Sequence, residues 1–394
     1  MSKAVIVSTA RTPIGKAYRG AFNNLAGPSL AAHAMKAAVE RAKIDPAQIE
    51  DVIMGCALTQ GSTGVNVARH AALAAGFGVG VAGATVDRQC ASGLSAIAMA
   101  STQVACGDAD VVLAGGMDSI SLVQNEHFDM YRYKDPAVER DMPSYYDSML
   151  ETAQTVARAY NVSRDEQDIY ALLSQQRTAN AQAAGLFAKE IIPVTATKMN
   201  VDRETGETSY EEVVLSADEC NRPQTTLEQL GSLKPVMGEG TSITAGNASQ
   251  LSDGASAMVV MDAKVAEQQG LSPLGAMIGM VSCGCEPGEM GIGPVYAIPK
   301  LLKRHGLSMD DIGLWEINEA FASQLVYCRD HLNIPHDRLN VNGGAISIGH
   351  PYGMTGARMA GHVLLEGKRR GVKYGVVSMC VGGGQGSAGL FEIY

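Results

Sequence analysis

Apolar residues recur at helical spacing from Leu30 to Ala42, then yield to an acidic turn, Asp45-Pro46-Ala47-Gln48-Ile49-Glu50. The short segment Asp51-Val52-Ile53-Met54-Gly55 follows and reads as a strand. The same succession returns later: helical spacing over Ala297 to His305, an acidic turn at Ser308-Met309-Asp310-Asp311-Ile312, and a strand at Leu314-Trp315-Glu316-Ile317-Asn318. The next units also correspond. Thr85-Val86-Asp87 predicts a short strand, Ser92 to Cys106 a helix, and Ala109 to Ala114 a buried strand ending in Gly115-Gly116. In the second half, a turn near Asn342-Gly343-Gly344 precedes a helix from about Gly356 to Arg370, and Tyr374 to Cys380 predicts a strand ending in Gly382-Gly383-Gly384. Alternating strands and helices predict an α/β fold in layers, and the long-range repeat predicts a duplicated architecture.

The repeat locates an insertion. After Gly384 the chain runs straight into Gly386-Ser-Ala-Gly-Leu-Phe-Glu-Ile, whereas the matching Gly254-Ala-Ser-Ala-Met-Val-Val-Met lies far beyond Gly116. We therefore expect a first half at 1–118 plus 250–272, a loop domain at 119–249 and a second half at 273–394. The loop domain holds a charged helix, Arg164 to Ala183, and a polar hairpin at Asp202-Arg-Glu-Thr-Gly-Glu. Excursions of this kind commonly cover sites.

Composition narrows the partners. The 394 residues are 46% hydrophobic and 18% charged, a globular balance. A net charge of -10 argues against nucleic acid and anionic membranes, which call for a basic face. The N-terminal apolar run, Ala4-Val5-Ile6-Val7, is too short for a secretory signal, and no window reaches about 18 uninterrupted apolar residues. The eight scattered cysteines read as reduced thiols, so the expected location is cytoplasmic, without membrane insertion.

Four segments carry candidate chemistry. Cys90, in Asp87-Arg-Gln-Cys-Ala-Ser-Gly-Leu, lies between a strand and a helix, where the helix dipole is expected to lower its pKa and favour the nucleophilic thiolate. His350, in Ile348-Gly-His-Pro-Tyr-Gly, occupies a similar turn and can accept a thiol proton near neutral pH. Cys380 precedes Val381-Gly382-Gly383-Gly384, whose backbone N–H groups can hold an oxyanion. Asn318-Glu319-Ala320-Phe321 ends a strand; its polar pair points into a cleft or caps a helix. Gly384-Gln-Gly386-Ser-Ala-Gly389 fits a dinucleotide-binding pattern, but too little chain follows for the helix and strand this requires. Cys283-Gly-Cys285 lacks a second pair at zinc-site spacing, so no metal is expected.

In combination and order, Cys-Ala-Ser-Gly, Asn-Glu-Ala-Phe, Gly-His-Pro and Cys-Val-Gly-Gly-Gly resemble the thiolase family. The resemblance runs from Arg11-Thr12-Pro13-Ile14-Gly15 through Thr244-Ala-Gly-Asn-Ala-Ser249 to the last strand. It implies two five-stranded α/β halves packed face to face, a loop domain over the site, and acyl transfer to and from coenzyme A. CoA is then a substrate, and no cofactor is permanently bound. Cys90 would be the nucleophile, His350 its base, and Cys380 the second acid/base. Asn318 would hold a water that stabilises the enolate oxygen, and the N–H groups of Cys90 and Gly382 would form an oxyanion hole. Ser249 and Arg222 would contact CoA, and Met149, Met290 and Phe321 would line the acyl and pantetheine tunnel. A homodimer or a dimer of dimers is implied.

Asp118 to Met149 is shorter than in biosynthetic acetoacetyl-CoA thiolases, Ser148 stands where those have a histidine, and Tyr352 and Met354 replace smaller residues. These departures favour the degradative 3-ketoacyl-CoA thiolases over an acetyl-CoA C-acetyltransferase. Competing readings are a decarboxylating ketosynthase, which usually has histidine or asparagine at Cys380, a thiol redox protein pairing Cys90 with Cys380, and an inactive CoA- or lipid-binding homologue.

Overall fold

The computed structural model describes residues 3–394. Its strands are β1 (Ala4–Arg11), β2 (Gly15–Lys16), β3 (Asp51–Gly55), β4 (Ala84–Val86), β5 (Val111–Ser119), β6 (Val194–Val201), β7 (Thr208–Leu215), β8 (Ser252–Asp262), β9 (Gly275–Gly284), β10 (Leu314–Ile317), β11 (Tyr374–Val381) and β12 (Gln385–Ile393). The first half is ordered β4-β3-β5-β8-β1 and the second β10-β11-β12-β9. In each half the shared strands pair alike: β3 with β5 and β10 with β11 are parallel, and the next two pairings are antiparallel. The counterpart of β4 is reduced to one parallel bridge, Trp315 to Leu339, so the second half has four strands where five were expected. A single pair, Ile6 with Gly275, joins the two halves edge to edge.

Strand alternation builds the layers. In the first half, Val111, Leu113, Ala257 and Val259 face an outer core with the helices Gly27–Ala42 and Val67–Ala74. Their neighbours Val112, Ala114, Met258 and Val260 face inward. In the second half, Trp315, Ile317, Val376 and Leu390 pack outward against the helices Gly293–His305 and Ala322–His331. Val377, Met379 and Phe391 face inward, into the same core as Val112 and Met258. That shared middle layer is filled by the helices Ser92–Cys106 and Tyr352–Arg370. Gly115 and Gly116 do not end a strand as expected. β5 runs through both, because strand Ser256 and Met54 crowd one and Gly353 the other, leaving no room for side chains.

The excursion leaves β5 and returns at β8, carrying the helices Met149–Ala159 and Arg164–Ala183 and the β6–β7 hairpin. Both helices start with serine capping boxes, Ser148 with Glu151 and Ser163 with Glu166. Ser148, singled out for replacing a histidine, thus serves locally as a cap. Buried charges fasten the excursion to β1. Arg11 Nε donates to Glu190 Oε2 at 3.0 Å, its Nη atoms fork onto Asp218 at 2.8 and 3.0 Å, and Glu190 also accepts from His362 Nδ1. No helix among the described residues is long and apolar enough to cross a membrane.

Candidate active site

Two turns that end in helix starts supply the reactive groups, the first after β4 and the second, where a strand was expected, after the short helix Ala345–Ile348. Before the helix Ser92–Cys106 the chain makes a short turn over Gln89–Ala91, with Gln89 held at φ 47°. This left-handed residue bends the chain sharply just before Cys90. Before the helix Tyr352–Arg370, Gly349 adopts φ 112°, and a side chain there would collide with Ser252. Only glycine fits, and the kink delivers His350 into the cleft.

The groups meet closely. Cys90 Sγ lies 3.3 Å from His350 Nε2, and Asn318 Nδ2 lies 3.2 Å from the same nitrogen. On the other side of the ring, His350 Nδ1 is 2.6 Å from Thr355 Oγ1. The Thr355 hydroxyl donates to the Pro351 carbonyl at 2.9 Å, so it accepts from Nδ1–H. This network assigns the tautomer with Nε2 bare and facing the thiol. Asn318 Oδ1 is buried and has no protein partner among the described residues. The backbone N–H groups of Cys90 and Gly382 lie close enough to favour charge on the Cys90 sulfur.

Electrostatics corrects the expected thiolate. Burial, then the Asp118 carboxylate, push Cys90 up to about 12, outweighing the N–H groups of Cys90 and Gly382. Burial, helped by Arg358, pushes His350 down to about 3. The resting pair is therefore a thiol beside a neutral imidazole, and the helix dipole does not prevail. Asp118 is itself pushed up to about 6 by burial, although it accepts from the N–H groups of Ala57, Leu58 and Gly353 and from the Cys56 thiol.

Cys380 is the penultimate residue of β11, buried and paired with Gly386 of β12, and burial raises its pKa well above the usual thiol range. β12 absorbs Gly386 and Gly389 of the dinucleotide-like pattern as ordinary strand, while Gly384 turns at φ 79° just before it. Cys380 packs with Met290, Phe321, Ile243 and Ala320. Met149 does not join them: it is 42% exposed, and the adjacent Leu150 takes the place against that cluster. Ser249 is half-buried and donates its N–H to the Ala320 carbonyl at 2.9 Å, which fastens it to the Asn-Glu-Ala-Phe segment. Arg222 is exposed, and its contact is a backbone one, N–H to Gln175 Oε1 at 2.8 Å.

Glu319 does not share the cleft with Asn318, nor does Asn318 cap a helix. Glu319 is buried and accepts from Tyr170 Oη and Ser174 Oγ, both at 2.7 Å, from Asn340 Nδ2 at 3.0 Å and from the Ile346 N–H at 3.1 Å. Tyr170 and Ser174 belong to the charged helix of the excursion. Glu319 thus seats that helix one residue from Asn318. Sequence reasoning missed this, and missed Thr355. The available signal for Thr355 was a hydroxyl one turn into the helix that Pro351 starts.

A thiol, a neutral imidazole and paired backbone donors, converging at two helix starts, are the parts of a cysteine-nucleophile acyl-transfer centre. Residues 4–264 match the thiolase N-terminal domain and residues 271–393 the thiolase C-terminal domain. The chain belongs to the thiolase family. It is 44% identical to the 3-ketoacyl-CoA thiolase of Bacillus subtilis (strain 168), over 100% of both chains. Among solved structures it resembles the Bacillus anthracis acetyl-CoA acetyltransferase, with a TM-score of 0.89 and 37% identity over 100% of this chain and 99% of that one. It also resembles human mitochondrial 3-ketoacyl-CoA thiolase in complex with CoA, with a TM-score of 0.87 and 37% identity over 100% and 98%.

Proposed function

We propose that this chain cleaves 3-ketoacyl-CoA with CoA, giving acetyl-CoA and a shortened acyl-CoA. The observation that carries the reading is the thiol–imidazole contact of 3.3 Å, with the Cys90 and Gly382 N–H groups near enough to favour charge on the same sulfur. His350 Nε2 takes the Cys90 proton as Sγ attacks the keto carbon, and the two N–H groups hold the resulting oxyanion. The C2–C3 bond breaks and its electrons pass to the enolate of acetyl-CoA. The protonated Nε2 donates to the enolate oxygen, and a water donating to Asn318 Oδ1 supplies the second hydrogen bond. Cys380 gives its proton to C2, then regains one from His350. In the second half, His350 takes the proton of CoA, whose thiolate attacks the acyl-Cys90 thioester. Cys90 leaves and recovers the proton from His350.

Ser249, Met290 and Phe321 belong to the CoA and acyl path in this reading. Arg222, an exposed cation, would meet the anionic end of CoA, and the exposed Met149 would stand at the rim of its tunnel. The eight unpaired cysteines suit a reducing, cytoplasmic setting. The open edge of β4, which pairs only with β3, suits a homodimer.

The test is CoA-dependent thiolysis of a 3-ketoacyl-CoA series from acetoacetyl to long-chain, with Cys90→Ala as control. Activity rising beyond four carbons, and lost in Cys90→Ala, is expected. Activity confined to acetoacetyl-CoA would assign an acetyl-CoA C-acetyltransferase instead. A covalent acyl adduct persisting in Cys90→Ala would remove Cys90 as the nucleophile.

A further inference from the structure

Tyr352 follows His350-Pro351 and is the first residue of the long central helix. Its ring meets the His350 imidazole edge-on, centroids 5.2 Å apart at 76°. Its hydroxyl donates to Gln124 Oε1 at 3.1 Å. Gln124 is braced in turn: its carbonyl accepts from Tyr18 Oη at 2.7 Å, and the Tyr18 N–H donates to Ser121 Oγ at 2.7 Å. Ser121 is tied to buried Asp253 through both its N–H and its hydroxyl. The phenol is thus pinned at one end by the helix start and at the other by this chain of bonds. Tyr352 is only half-buried and joins none of the apolar cores, and the proton transfers above do not use it.

Position gives it a use. The keto carbon bound to Cys90 carries three further substituents. Its oxygen goes to the N–H groups of Cys90 and Gly382. The carbon being cleaved off goes toward Cys380, which packs with Met290 and Phe321. The acyl chain takes the remaining direction. Tyr352 stands beside the His350 ring, 5.2 Å between centroids, whose Nε2 lies 3.3 Å from Cys90 Sγ, and it lies outside the Cys380 cluster.

We propose that Tyr352, held by Gln124, walls the acyl side of the site and selects 3-ketoacyl-CoA whose C4, the carbon beyond the keto group, is unbranched. The proposal rests on the thiolase reading and narrows its substrate class. A ring that cannot swing away leaves a methyl branch at C4 no place to go. One misfitting methyl in such a pocket is worth about 10- to 200-fold in kcat/KM.

The experiment compares kcat/KM for two six-carbon substrates, 3-ketohexanoyl-CoA and 4-methyl-3-ketopentanoyl-CoA. The wild type should favour the straight chain at least about tenfold. Tyr352→Val should shrink that ratio at least about tenfold. Gln124→Ala, which keeps the ring but frees it, should shrink it by about threefold or more, and it decides the matter alone if Tyr352→Val does not fold. A wild type without preference, or a ratio unchanged in the variants while both substrates turn over, overturns the proposal. A wild type that cleaves neither substrate, nor any straight-chain 3-ketoacyl-CoA, overturns the thiolase reading and this inference with it.

Discussion

Thr355→Val isolates the hydrogen bond that sets the His350 tautomer. Valine keeps the shape of threonine but removes the oxygen 2.6 Å from His350 Nδ1. His350 and Thr355 are both buried, so water does not readily replace it. An unmade buried donor costs about 1–3 kcal/mol. The ring can avoid that cost by moving its proton to Nε2. There it meets two further donors, the Asn318 amide and the Cys90 thiol, and it can no longer accept the Cys90 proton. A bias of about 1–3 kcal/mol against the productive tautomer lowers kcat/KM by roughly 5- to 150-fold. The assay is steady-state thiolysis of a straight-chain 3-ketoacyl-CoA, with thermal melting alongside to register any loss of folding. Thr355→Ser restores the hydroxyl and should recover activity to within a few-fold of wild type. Wild-type kcat/KM in Thr355→Val would refute the tautomer assignment. An equal loss in Thr355→Ser would attribute the effect to packing.

Three further outcomes are expected. Cys380→Ser should still form acyl-Cys90 but exchange the C2 protons of acetyl-CoA very slowly; normal exchange removes Cys380 from the mechanism. Because Cys90 is held up to about 12, its alkylation by iodoacetamide should keep accelerating with pH beyond 9, and a plateau near neutrality would mean a thiolate resting state. Burial pushes Glu190 up, but His362 and Arg11 outweigh it and hold it down to about 2. A depressed carboxylate stabilises the fold above its unfolded pKa of about 4.5, and that stability is lost as pH falls from there toward 2. Glu190→Gln should therefore cost about 3–5 kcal/mol in urea unfolding at pH 7, and the penalty should shrink below pH 4; a cost independent of pH would contradict the charge argument.

The repeat was legible because each half must bury the same alternating strand faces against the same kinds of helix, and that constraint writes itself into apolar spacing. The helix Arg164–Ala183 was legible for a similar reason, since a serine cap and a charged first turn mark its start. The catalytic candidates were legible as motifs, because glycine and proline around Cys90, His350 and Cys380 announce sharp turns. The missing strand beside β10 was not legible: whether chain near Leu339 pairs once or several times depends on tertiary placement. Nor was the protonation of Cys90. Helix position argues for a low pKa, while burial, and after it Asp118, 28 residues away in sequence, decide otherwise only once the chain has folded around the thiol. Met149 and Leu150 are adjacent and similarly apolar, so which one faces the Cys380 cluster depends on how their helix is rotated.

Duplication also explains why the site assembles where it does. The two central helices are equivalent elements of the two halves, and they touch backbone to backbone at their first turns. A side-chain carbon on Gly93 would lie 2.5 Å from the Gly353 carbonyl oxygen, and one on Gly356 would lie 2.6 Å from the Leu94 nitrogen. Such contact brings together two helix N-termini, whose positive dipole ends repel each other unless negative charge lies between them. Asp118 supplies a resting charge at the Gly353 N–H above its pKa of about 6. The reaction supplies the rest transiently, as the Cys90 thiolate, the tetrahedral oxyanion and the enolate form in turn. Because Asp118 and burial keep Cys90 protonated at rest, the field of the two helix ends is not spent on the ground state. It acts when charge develops, and that is the condition under which fixed dipoles lower a barrier.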